Sequence, residues 1–75
     1  MHESLTEHNR GRRFKVALAH RETTAKAWAA EHGVTRGHLH KVLAGERESV
    51  SLLREIDAFI GEVERQVARS LTAAA

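Results

Sequence analysis

Apolar residues recur along this chain at helical spacing in four places, separated by residues that start or stop helices. Phe14, Ala17 and Leu18 fall at steps of one and three, with Arg21 continuing the spacing, and predict a first helix at roughly 10–21. Its start is open between Asn9 or Gly11 and a point near Leu5, where Ser4-Leu5-Thr6-Glu7 has the Ser-x-x-Glu form of a capping box. Thr23 and Thr24 offer hydroxyl caps for a second helix, "AKAWAAEH", with Ala25, Trp28 and Ala29 inward. Gly33 ends it, because glycine enters the left-handed conformation without a Cβ penalty. Thr35 caps a third helix, Arg36 to Leu43, which Gly45 closes. Ser49 or Ser51 can cap a fourth, with Leu52, Leu53, Ile56, Phe59 and Ile60 inward. Val63, Val67 and Leu71 continue that stripe, so 50–71 reads as one long helix or as two broken at Gly61. The terminal "TAAA" reads as frayed.

Composition supports the same picture. Seventy-five residues suffice for one compact domain over 1–75 with a small core. Only Phe14, Trp28 and Phe59 are aromatic, proline is absent, and alanine, lysine, arginine and glutamate fill the rest, which favours an all-α fold. There is no cysteine, so disulfides and thiolate metal sites are excluded. No stretch has the apolar length of a membrane span, and "MHESLTEHNRGRR" lacks the apolar core of a secretion signal, so the expected location is cytoplasmic. The net charge of +2 is uneven: Arg10 to Arg47 holds nine lysines and arginines against three glutamates, while both ends are acidic. A basic centre of this kind suits a polyanionic partner.

The second helix, the Gly33 turn and the third helix form a coherent helix-turn-helix unit over 24–44. It has a small residue, Ala29, where two helices can cross, a glycine for the sharp turn, and Val34, Leu39 and Val42 to hold the second helix across the first. At about 100° per residue, Leu39, Val42 and Leu43 share one arc of the third helix. Gly37, His40, Lys41 and Ala44 point the other way. A small, polar, cationic outer face suits insertion into a DNA major groove.

"TAKAWAAEHGVTRGHLHKVLAGER", Thr24 to Arg47, resembles the helix-turn-helix of the phage-repressor/Cro type, the XRE family. Thr24, Ala29, Gly33, Val34, Leu39, Gly45 and Arg47 match that pattern in register, with Thr35 in its Ser position and Trp28 in its Leu position. Ser49, Val50, Leu53, Ile56, Ile60 and Gly61 fall where the family's next helix has its cap, core residues and terminal glycine. Ala25, Leu43 and Asp57 depart from it, standing where a Gln, a polar or acidic residue and a small apolar residue are usual. The resemblance implies a lambda-repressor-like domain of four to five helices. It also implies DNA contacts at the start and outer face of the recognition helix 36–43: Thr35, Arg36, Gly37, His40 and Lys41. Arg36 is the candidate for a bidentate pair to guanine O6 and N7, with a phosphate as its competing target. Gly37 either lets the backbone approach DNA or is an unselected surface residue. Thr24, Lys26, Arg47, Arg12, Arg13 and Lys15 are phosphate candidates.

Other chemistries find less support. His38 and His40 lie about 200° apart on a helix, so they cannot share a metal ion. No glycine-rich phosphate loop or paired carboxylates suggest an enzyme, a cofactor or a small-molecule ligand. The rival reading is a small adaptor or antitoxin-like module that binds protein through the 50–71 stripe. That stripe is longer than so small a core needs, which points to a homodimer through Ile56, Phe59, Ile60, Val63 and Val67, unless it folds back on the chain's own core. The expectation is a dimeric, sequence-specific transcriptional repressor or autoregulator of bacterial or phage type, on a palindromic double-stranded operator at the nucleoid, with recognition helices about 34 Å apart.

Overall fold

The computed structural model describes the backbone of residues 2–74 and the side chains of residues 9–72. Four helices follow in order, α1 (His2–His20), α2 (Ala25–Glu31), α3 (Arg36–Leu43) and α4 (Val50–Ala74), and the described residues form no strand. The fold is all-α. None of these helices is long and apolar enough to cross a membrane.

The starts of α2, α3 and α4 share one device. Thr24 and Thr35 hold extended backbone angles, and each hydroxyl oxygen accepts from the amide three residues on, Ala27 at 3.1 Å and His38 at 3.0 Å. Ser49 accepts from Leu52 in the same way at 3.3 Å, which decides between Ser49 and Ser51. Each cap satisfies an amide that has no partner inside its own helix.

The ends of α1, α2 and α3 share another. The second residue beyond each helix end is left-handed, and two backbone bonds close back over the last turn. After α2, Gly33 has φ +70° while Val34 N–H donates to Ala29 at 2.9 Å and Gly33 N–H to Ala30 at 3.1 Å. After α3, Gly45 has φ +80°, with Glu46 donating to Lys41 and Gly45 to Val42. After α1 the same bonds run from Thr23 to Leu18 and from Glu22 to Ala19, but the left-handed residue is Glu22, at φ +53°. The chain therefore carries a strained residue at its first turn.

The core draws on every helix: Phe14 and Leu18 from α1, Trp28 and Ala29 from α2, Leu39 and Val42 from α3, and Leu52, Ile56 and Ile60 from α4. Phe14 meets both other aromatic rings edge to face, its centroid 5.1 Å from that of Trp28 and 5.7 Å from that of Phe59. Such pairs add about 0.5–1.5 kcal/mol each beyond the area they bury.

Several expectations change here. The first helix extends back to His2, so Ser4, Asn9 and Gly11 all lie inside it rather than at its start. The side chains of the Ser4–Glu7 capping box lie outside the described residues. The fourth helix is continuous through Gly61 and runs to Ala74, with the Thr72 hydroxyl donating to Ala68 O at 2.9 Å where a frayed end was expected. Most of the expected dimer stripe is inside the monomer: Ile56, Ile60 and Val63 are 3% exposed or less, and Phe59 packs in the aromatic cluster. A domain with so few large apolar residues closes its own core with that face. Of the five residues expected at the interface, Val67 alone lies beyond the core, half-buried.

Candidate nucleic-acid interface

Helix α3 is held from one side and bare on the other. Leu39 and Val42 are buried at 1% and 3% exposure, and Leu43 packs half-buried against the same cluster. Arg36, Gly37, His40, Lys41 and Ala44 are all exposed. His38 is half-buried at the edge, so the two histidines of the His-x-His face different surroundings. Among the described residues no group of three His, Asp or Glu gathers in a way that could hold a metal ion.

The start of α3 offers a cluster of donors. Its first amides have no partner within the helix, and its dipole places partial positive charge there. Thr35 uses its oxygen as an acceptor for His38 N–H, which leaves its hydroxyl hydrogen free to donate outward. Thr24, exposed at the start of α2, has the same arrangement. A threonine cap can thus satisfy its helix and bind an anion oxygen at once.

Charge divides between two tasks that the sequence leaves mixed. Two arginines of α1, and Arg21 directly after it, are engaged with acids of α4: Arg10 with Asp57 at 2.9 Å, Arg13 with Glu64 at 2.6 Å, and Arg21 with Glu62 at 3.5 Å. The Arg13–Glu64 pair is bidentate, its second bond 2.8 Å long. The hydrogen bond from Arg13 is the main reason the Glu64 carboxyl is held below its ordinary value, and the same bond raises Arg13. Arg13, expected to meet phosphate, instead braces α1 against α4, because an acid two turns beyond Asp57 lies on the same flank of the α4 stripe. Among the described residues, Arg12, Lys15, Lys26, Arg36, Lys41 and Arg47 make no ion pair, and all six are exposed. Between Glu31 and Glu46 the chain has no acidic residue. Arg54, Arg65 and Arg69 on α4 are likewise exposed and make no ion pair, so the positive charge left over includes Arg36 and Lys41 on α3 but is spread over all four helices.

No family model, curated protein or solved structure matches this chain.

His32, absent from the sequence expectations, anchors the end of α2. Its ring stacks on Trp28 at 3.7 Å and 20°, Nδ1 lies 2.8 Å from Trp28 O, and Nε2 lies 3.6 Å from a Glu55 carboxylate oxygen. A carbonyl only accepts, so Nδ1 carries the hydrogen. His32 thus covers the outer face of the core tryptophan, with Glu55 of α4 beside its other ring nitrogen. The Trp28–His32 spacing of four residues was the readable signal. Two departures from the resemblance also find partners: Asp57 is the acceptor for Arg10, and Leu43 packs on the core.

Proposed function

We propose that the chain is a sequence-specific double-stranded-DNA-binding regulator that reads its operator through α3, in the manner of the phage-repressor/Cro proteins that Thr24–Arg47 resembles. On this reading the four helices form a lambda-repressor-like domain, with α2 and α3 as its helix-turn-helix. The observation that carries it is the outer face of α3. A short helix anchored by Leu39 and Val42 presents Arg36, Gly37, His40 and Lys41 to solvent with no acid nearby in sequence. Arg36 is the base-reading residue, suited to the O6 and N7 edge of a guanine. Lys41, Lys26, Arg47, Arg12 and the Thr24 and Thr35 hydroxyls hold phosphates and set the register. The regulator acts in the cytoplasm, at the nucleoid, as a repressor or autoregulator that occupies a promoter.

Selection of bound duplexes from random DNA tests this directly. One motif emerges, and binding to it falls steeply with salt as phosphate counterions are released. Arg36→Ala then costs about 1–3 kcal/mol on the selected site and much less on random DNA, whereas Arg12→Ala weakens both alike. Failure to enrich any sequence refutes the reading. The adaptor alternative draws on the apolar end of α4 and predicts a protein partner with no footprint on DNA.

A further inference from the structure

The outer face of α4 carries a row of arginines that the fold itself does not use. At about 100° per residue, Arg54, Arg65 and Arg69 fall within an arc of about 60°, roughly opposite the buried Leu52, Ile56, Ile60 and Val63, and the row runs about 22 Å along the helix. All three are exposed, and among the described residues none of them makes an ion pair. Ala58 and Gly61 share this face between Arg54 and Arg65. Gly61 leaves room for Arg65 to lie back along the helix, its Nη1 3.9 Å from where a Cβ would stand.

The acids of α4 keep clear of the row. Asp57 and Glu64 lie on one flank, Glu55 and Glu62 on the other. Each sits beside a basic side chain from elsewhere in the chain, Arg10, Arg13, His32 and Arg21 in that order, none farther than 3.6 Å. Pairing across helices thus draws the negative charge of α4 to its flanks and leaves the cations of its back unpartnered.

We propose that this row is a second phosphate-binding surface, which holds a DNA duplex other than the one seated on α3. Its chemistry selects the occupant. A guanidinium is always charged and makes paired hydrogen bonds to phosphate oxygens. From Arg54 to Arg69 this face has no aromatic or large apolar residue, so a protein or a membrane that gains by burying apolar surface finds no anchor. What suits it is a partner held by charge and repeating along the row, and duplex DNA carries one charge per about 1.7 Å of its axis. Placement selects a different duplex. Helices α3 and α4 pack on one core, each by the face opposite its exposed cations, so those cationic faces diverge. A straight duplex on α3 leaves the row open. The preference for phosphate stands on the row alone; that the phosphates belong to DNA rests on the proposed function.

Fluorescence anisotropy tests the inference. The chain is saturated with an unlabelled duplex carrying the selected motif, and a labelled random-sequence duplex is titrated in. The second duplex binds, with a slope of log K on log salt near −2.7, from about −0.9 for each phosphate neutralised. Arg54→Gln, Arg65→Gln and Arg69→Gln combined, at exposed positions where glutamine is a good helix former, keep the helical circular-dichroism spectrum. They weaken second-duplex binding at least about tenfold and leave affinity for the motif unchanged. Lysine at the same three positions keeps the charge and restores the salt slope. A saturated complex that takes up no second duplex, or takes it up equally well in the glutamine variant, overturns the inference while the proposed function stands. A glutamine variant that binds the motif more weakly places the row on the same duplex as α3 and overturns it too. Polyglutamate that competes as well as random duplex transfers the row to an acidic protein and overturns the assignment to DNA. If no motif can be selected, the proposed function fails and the random duplex is titrated into the chain alone. A loss in the glutamine variant but not in Arg36→Ala then upholds the row as a duplex surface, and equal binding by all three proteins overturns it.

Discussion

Glu22 and Gly33 form a matched pair of experiments on one physical quantity. Both occupy the left-handed position that closes a helix, at φ +53° and +70°, and both are framed by the same two backbone hydrogen bonds. For a residue with a Cβ this conformation costs about 1–2 kcal/mol. Glycine avoids that cost but loses about 0.5–1 kcal/mol more in chain entropy on folding. The difference predicts that Glu22→Gly stabilises the domain by about 0.5–1 kcal/mol, and that Gly33→Ala destabilises it by a similar amount. Space does not complicate the second change, since a Cβ added at Gly33 meets nothing within 4 Å. In a domain of this size the shifts correspond to about 2–8 °C in Tm, upward for one variant and downward for the other. Removing an acid near a helix C-terminus also helps, by a few tenths of a kcal/mol, and Glu22→Ala isolates that contribution because alanine keeps the Cβ. Thermal melts by circular dichroism at one fixed concentration provide the readout. If Glu22→Gly melts no higher than Glu22→Ala, or if Gly33→Ala melts no lower than wild type, the strain argument is wrong.

Other consequences of the structure can be measured alongside. Arg13→Ala and Glu64→Gln each lower stability by about 0.5–1 kcal/mol, the range for a well-formed exposed pair, and the double variant is no worse than either. Because the folded Glu64 carboxyl is held below its ordinary value of 4.5, its contribution is complete above that value and lost as pH falls through the depressed one; acid melts of the wild type show a loss there that Glu64→Gln lacks, and parallel curves would refute it. At Gly37 a Cβ has only the Thr35 hydroxyl nearby, at 4.0 Å, so Gly37→Ala raises stability by up to about 1 kcal/mol. If the backbone of α3 approaches bases, the same variant weakens operator binding, and unchanged affinity would make Gly37 an ordinary surface residue. Gly61→Ala places its Cβ at 3.9 Å from Arg65 Nη1, an ordinary contact, and strengthens α4 by about 0.5–1 kcal/mol; a lower Tm would contradict an unbroken helix there.

Local signals in the sequence determined both ends of α2 and α3 and the start of α4. Thr24, Thr35, Gly33 and Gly45 act through hydrogen bonds and backbone angles within five or six residues, so their roles were readable without knowing where the helices lie in space. The two faces of α3 were readable for the same reason, since a helix places Leu39 and Val42 opposite Gly37 and Lys41 by its pitch alone. What the chain does with those faces across helices was decided only by tertiary structure. A periodic stripe says that Ile56, Ile60 and Val63 must be covered, but not by what; the convergence of α1 and α4 covers them from within and leaves Val67 and Leu71 outside. A run of charge likewise gives composition without partners. Only the packing of α1 on α4 separates Arg10, Arg13 and Arg21, which brace the fold, from Arg36 and Lys41, which remain open to a phosphate or a base. Pairing depends on distances between segments some fifty residues apart, and those distances exist only once the core has closed.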